Sequence, residues 1–407
     1  MSLTGRCSAI SKLSEGSAMD YDDAVGNWNY PTAVSAGAGR IEELPAACLE
    51  LGIRAPLLVT DPGIAALPML GLARTSCVAA GLRCEVFADV RSNPTPDNVM
   101  AGVGVYRGGD HDGVIGFGGG SALDVAKAVA MMSGQVRPLW DFIDEGDNWT
   151  RVREEGVAPI IAVPTTAGTG SEVGRASVIT DEASQVKRLI FHPLMLPRKV
   201  ILDPTLTVGL PPSITAATGM DALSHNLEAF CAPCFHPMAD GIALEGMRLV
   251  REWLPAAVAN GDDLDARMHM LVASSMGATA FQKGLGAMHA IAHPLGALHD
   301  AHHGLLNAIV MPYVLVANRA GIKEKLARAA AYLDLDGRSF DAFLDWVLAL
   351  RKEVGIPHCL ADIDIDDAMQ DRVGEMAVRD PSAGGNPLPF GAADYRALFV
   401  RAVAGEL

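Results

Sequence analysis

The feature that most constrains the fold is a change of rhythm along the chain. Up to about residue 205, short apolar runs alternate with stretches of helical period; beyond it the runs stop and only helical patterns remain. The runs fall at 55–60, 84–88, 113–117, 159–163 and 199–202, each closed by Gly, Pro or Asp. Helical patterns lie between them, for example at 39–52 and 122–132. Continuous apolar runs of this length read as strands buried on both faces, and helical crossovers between such strands make them parallel. The expectation is a Rossmann-like α/β domain at 31–205 and an all-helical domain at 206–407, after a polar tail at 1–30. Helices are expected at 213–230, 238–258, 264–281, 304–318 and 322–333. A cleft between two such domains is the usual place for chemistry.

Composition narrows the class of partner. Of 407 residues half are hydrophobic, which excludes wholesale disorder. A formal charge of −16 disfavours nucleic acid and anionic membrane, both of which need a basic surface. No stretch reaches the ~18 consecutive apolar residues of a membrane span, and the N-terminus has no apolar signal core. Seven cysteines, odd in number and irregularly spaced, do not form a secreted disulfide framework. Cys231 and Cys234 are read as reduced thiols, and the cytoplasm is the expected compartment.

Anionic cofactors escape this filter, because backbone donors and helix N-termini bind them. Gly118, Gly119, Gly120 and Ser121 stand between an apolar strand run and a helical pattern. Side chains are missing there, so a phosphate can approach the backbone. Ser121 and Asp124 also have the spacing of a capping box. The arrangement does not match GxGxxG. Three other loops fall on the expected sheet edge. The turn Gly37-Ala38-Gly39-Arg40 is a further place for a pyrophosphate. The loop from Thr165 and Thr166 to Ser171 offers hydroxyls and free backbone. Asp61 follows the first run; a carboxylate there accepts from a ribose 2′-OH and repels a 2′-phosphate, favouring NAD over NADP. Its alternative role is that of a turn residue.

The second half carries a different chemistry. Asp221 and His225 are four residues apart on one helix face, as are His289 and His293, and His299, His302 and His303 follow. Imidazoles with one carboxylate suit Zn²⁺ or Fe²⁺, and nothing in the pattern requires thiolates. Spacing alone does not choose among the later histidines.

These segments resemble the iron-containing (group III) alcohol dehydrogenase family. The resemblance rests on GGGSALDVAK at 118–127, PTTAGTGSE at 164–172, DP-x-LT at 203–207 and GGNP at 384–387. Its strongest elements are GMDALSHNLEA at 219–229 and GLGAMHAIAHPLGALHDAHHG at 284–304. It implies a dehydroquinate synthase-like fold, with Asp221, His225, His289 and His303 as metal ligands. His293 would stand beside them, either relaying a proton or only orienting a ligand. It carries cofactor contacts to Asp61, Gly118, Gly119, Gly120, Ser121, Thr165 and Thr166, within the loop that ends at Ser171, and further to Asn93 and Lys187. The segment 273–283 would lie on the substrate side. The activity implied is reversible hydride transfer between an alcohol and NAD with Fe²⁺ or Zn²⁺, in a homodimer or larger homo-oligomer. The rivals are a hydroxyacid-oxoacid transhydrogenase, a maleylacetate reductase-like enzyme and, further off, a sugar-phosphate cyclase. The last would need a basic cluster in the helical half, where 284–304 has no Arg or Lys.

Overall fold

The structure, a computed structural model, describes Tyr30 and residues 32–407; the rest of the polar tail expected at 1–30 lies outside the described residues. The described chain divides into two units. The first takes its body from Pro31–Pro211 with Asn260–Ser275, and the second from Pro212–Ala259 with Met276–Leu407.

In the first unit the strands are β1 (Ala33–Ala36), β2 (Pro56–Val59), β3 (Glu85–Phe87), β4 (Gly113–Gly118), β5 (Ile160–Pro164), β6 (Ala176–Asp181), β7 (Val186–Phe191) and β8 (Lys199–Leu202). Six form one sheet in the order β1-β8-β5-β4-β2-β3, every neighbouring pair parallel. The five expected runs are β2, β3, β4, β5 and β8. Alternate residues of these strands enter different cores. Leu57, Val59, Val114 and Ile160 join one cluster, while Leu58, Ile115, Phe117 and Ile161 join another. Both faces are therefore dry, which is why the runs are continuous rather than alternating.

Two features were not expected. β1 is an edge strand with only Ser35 buried, so it carries no apolar run. β6 and β7 form a separate antiparallel hairpin, half-buried and rich in polar residues. The expected helix at 39–52 is also shorter. A 3₁₀ turn fills Arg40–Glu43, and the α-helix starts only at Leu44–Glu50, where Pro45 suits the first turn.

The capping box at Ser121 and Asp124 does not form. The helix Gly120–Met132 starts directly after β4 with Gly119 as its N-cap, so Ser121 is already inside it. The Ser121 hydroxyl donates to the Ser92 carbonyl at 2.5 Å. The Asp124 carboxylate turns away from the helix start and accepts from Ser171 Oγ at 2.5 Å and Val178 N at 2.9 Å.

The second unit is helical throughout. Its central element is the helix Pro212–Cys231, buried without interruption from Thr215 to Cys231. The helices Pro237–Ala259, Ala287–His299, His303–Ala317 and Arg319–Tyr332 are among those around it. Gly304 lets two helices meet closely: a Cβ there would lie 2.5 Å from the carbonyl oxygen of Ala217. Cys231 is a buried free thiol, as expected, but Cys234 is disulfide-bonded, contrary to its reading as a reduced thiol. Among the described residues no single helix is long and apolar enough to cross a membrane.

Candidate metal and nucleotide sites

Asp221, His225, His289 and His303 each offer one ligand atom, and these atoms all lie within 4.8 Å of one another. The sequence brings them together in three steps. Asp221 and His225 sit one turn apart on Pro212–Cys231, His289 is in the first turn of Ala287–His299, and His303 opens His303–Ala317. Three of the four are buried. The neighbouring His302 is engaged otherwise, since its Nδ1 accepts from Leu305 N at 3.3 Å and caps the helix that His303 begins. Spacing could not separate the two; the cap does.

The donors suit a divalent cation. Asn307 Nδ2 lies 2.9 Å from Asp221 Oδ1, 3.2 Å from His289 Nε2 and 3.1 Å from His303 Nε2, so lone pairs from three helices converge on one small volume. The same amide's Oδ1 is buried and has no hydrogen-bond partner. Buried lone pairs gathered in this way need a positive partner, and three imidazoles with a carboxylate match Zn²⁺ or Fe²⁺.

Two further carboxylates hold the imidazoles. His289 Nδ1 lies 2.7 Å from Glu228 Oε2. Burial pushes this imidazole down, but the hydrogen bond and charge of Glu228, with Asp221 and Asp380, outweigh it and leave the pKa raised. His293 stands outside the four-atom group, its ring stacked on His303 at 5.3 Å. Its Nδ1 is 2.8 Å from Asp380 Oδ2, and its side chain is 18% exposed. Glu228, Asp380 and Asn307 are not among the residues that the sequence pattern marks as functional. Glu228 stands in the segment GMDALSHNLEA, seven residues after Asp221 and so on the same helix face, and that spacing is its one signal in the sequence.

In the first unit, β2 leads on to β3 on one side and β4 to β5 on the other, so the strand order reverses between β2 and β4. Such a switch point opens a crevice at the carboxyl ends of the strands. Asp61 follows β2, Gly119 and Gly120 follow β4, and Thr165 and Thr166 follow β5. The three loops touch. A Cβ on Gly118 would lie 3.4 Å from Asp61 Oδ2 and 3.7 Å from Thr60 Oγ1. One on Gly119 would lie 3.4 Å from Thr166 Oγ1. Gly118 itself has φ 149°, which favours glycine.

Asp61 serves partly as a turn residue, its Oδ1 accepting from Ile64 N at 3.0 Å. Thr60 Oγ1 and Thr165 Oγ1 are buried without hydrogen-bond partners, the condition a ligand in the crevice would relieve. The turn at Gly37–Arg40 is less open to a phosphate than its glycines suggest. Asp203 already accepts from Gly39 N at 3.1 Å and Ile41 N at 2.9 Å. Ser171 is tied to Asp124. Lys187 stands on the hairpin opposite Thr180, whose N–H donates to the Pro94 carbonyl at 2.8 Å. That bond sets the hairpin against the loop of Asn93.

A doubly wound sheet with a crevice at its switch point and a cluster of three histidines and one aspartate, in one chain, are the parts a metal-dependent, nucleotide-linked oxidoreductase needs. Comparison with known proteins agrees. Residues 31–204 match the iron-containing alcohol dehydrogenase family, and residues 215–403 match that family's C-terminal part. The chain is 40% identical to the 4-hydroxybutyrate dehydrogenase of Cupriavidus necator, over 91% of this chain and 97% of that one. It is 34% identical to the NAD-dependent methanol dehydrogenase of Bacillus methanolicus, over 89% and 95%. The solved structure of a 1,3-propanediol oxidoreductase superposes with a TM-score of 0.87 at 33% identity, covering 93% of this chain and all of the other. The protein belongs to the iron-containing alcohol dehydrogenase family and is an oxidoreductase acting on CH–OH groups.

Proposed function

We propose that the protein oxidises a small primary alcohol reversibly with NAD: alcohol and NAD⁺ give aldehyde, NADH and a proton. Asp221, His225, His289 and His303 would hold Fe²⁺ or Zn²⁺, and the convergence of their donor atoms within 4.8 Å carries the reading. A bound ion supplies Lewis-acid polarisation of the substrate oxygen. Residues 31–205, extended by 206–211 and 260–275 of the same compact unit, would form the dinucleotide-binding domain, and the remainder of 206–407 the metal and substrate domain. Gly118, Gly119, Gly120 and Ser121 would receive the pyrophosphate at a helix N-terminus. Thr165, Thr166, Ser171, Asn93 and Lys187 would complete the cofactor's surroundings. The free side of the Asp61 carboxylate suits a ribose 2′-OH and opposes a 2′-phosphate, which favours NAD over NADP.

His293 would take up the proton released as the alcohol is oxidised. Its Nδ1 is occupied by Asp380 at 2.8 Å, which leaves Nε2 to exchange the proton, and its partial exposure offers a way to water. The relatives support the substrate class, since 4-hydroxybutyrate, methanol and 1,3-propanediol are all primary alcohols. The proposal extends to a cytoplasmic homo-oligomer, checked by light scattering.

The test combines metal analysis of the purified protein with NADH and NADPH formation on those three alcohols. Metal-dependent NADH formation is expected. In His289→Ala, metal and activity should be lost together while NAD still binds. Full turnover after complete metal removal would refute the reading.

A further inference from the structure

We propose that Glu228 is a positioning residue of the metal centre: it selects the nitrogen of His289 that faces the ion, and the same carboxylate sets the start of the helix that carries His289. This rests on the reading of His289 as a ligand. Glu228 is 5% exposed and lies one turn beyond His225 on the buried helix. Its Oε2 accepts from Gly286 N at 2.8 Å, its Oε1 accepts from Met288 N at 2.7 Å, and Oε2 also meets His289 Nδ1 at 2.7 Å. Both oxygens are thus committed to one short stretch, 286–289.

Each contact has a separate consequence. A carboxylate can only accept, so Nδ1 of His289 carries the proton and the lone pair resides on Nε2. Nε2 is the atom that joins the donor cluster, 3.2 Å from Asn307 Nδ2. A flipped ring would set a C–H against a buried carboxylate oxygen and remove that lone pair from the cluster. A carboxylate behind an imidazole also makes it a more basic ligand. The two amide contacts replace a missing cap. The helix Ala287–His299 has Gly286 at its N-cap position with no side-chain cap of its own, and Glu228 satisfies the N–H groups of Gly286 and Met288 from another helix. The negative charge also suits a helix N-terminus.

Gly286 is part of the device. A Cβ there would lie 3.0 Å from Glu228 Oε1 and 3.1 Å from Asn386 Oδ1, so a larger residue would displace the carboxylate.

The probe is Zn²⁺, titrated into metal-free protein in competition with a chromophoric chelator. Glu228→Gln and Gly286→Ala are expected to weaken Zn²⁺ binding roughly 10- to 100-fold, with the circular dichroism spectrum and NAD affinity kept. A second measurement needs no variant. ¹⁵N spectra of histidine-labelled, Zn²⁺-loaded wild-type protein should show His289 bonded to the ion through Nε2, with a slowly exchanging proton on Nδ1. Wild-type Zn²⁺ affinity in folded Glu228→Gln, or Nδ1 ligation in the wild type, overturns the proposal. Should Glu228→Gln not fold, the ¹⁵N spectrum decides alone. His289→Ala separates the two readings. If it loses Zn²⁺ while Glu228→Gln does not, only the role of Glu228 falls. If it keeps wild-type affinity, the metal assignment falls as well.

Discussion

Asp124 holds several parts of the first unit together, and its removal should be felt throughout that unit. Its carboxylate accepts from Ser171 Oγ at 2.5 Å and Val178 N at 2.9 Å and lies 3.1 Å from the Lys127 ammonium. It ties the helix after the glycine turn to the loop after β5 and to the hairpin. Lys127 is 2% exposed, so Asp124→Ala strands a buried charge, a loss that costs about 3–5 kcal/mol. Three facts set the low end. Asp124 is itself 14% exposed, Lys127 still donates to the carbonyls of Ser171 and Ala176, and the Glu172 carboxyl stays near enough to feel its charge. At about 3 kcal/mol, and 2–4 °C per kcal/mol for a unit of this size, the melting temperature should fall by roughly 6–12 °C. Differential scanning calorimetry reads this directly. NAD affinity should fall more than about tenfold, while Zn²⁺ affinity should hold. Adding Lys127→Met removes the stranded charge and should recover about half of the loss, a coupling that a double-mutant cycle measures. A fall below about 2 °C, the scale of an ordinary surface substitution, would refute the reasoning.

Three further outcomes are expected. Burial raises the pKa of Glu172, with Ser275, its own backbone N–H and Lys127 only partly opposing. The unfolded chain then ionises at lower pH than the native one, so stability falls as pH rises from the ordinary glutamate value to the raised one. Glu172→Gln should flatten that slope in melting curves taken between pH 4 and 8; an unchanged slope would count against a raised pKa. Thr165→Val replaces an unpartnered buried hydroxyl with a methyl. It should leave stability within about 1 kcal/mol and weaken NAD roughly five- to tenfold, the worth of one hydrogen bond; unaltered NAD affinity would remove Thr165 from the contact set. His293→Gln should keep its metal and lower kcat by about 10²–10⁴. Loss of metal instead would assign His293 to orienting a ligand.

What the sequence made legible follows from the range of its signals. β2, β4 and β5 were readable because burial on both faces leaves an unbroken apolar run. β1 was not, since three of its four residues are exposed. Asp221 and His225 were readable because one helical turn links them. His293 and Asp380 meet across 87 residues, and no local period records that contact. The capping box failed for a related reason. Ser121 and Asp124 have the right spacing, but two glycines let the helix begin earlier, and Asp124 found partners 47 and 54 residues away.

Asn260–Ser275 belongs to the first unit although the chain has entered the second at Pro212. Glu172 takes its hydroxyl partner from Ser275, and Arg267 reaches back to the Leu210 carbonyl at 3.5 Å. A gene cut at the obvious joint near residue 211 would yield an N-terminal product lacking both. Recombination between relatives at that joint would pair a Glu172 from one parent with a Ser275 from the other. The two halves look like exchangeable cassettes, but a joint at that point divides contacts that belong to a single unit.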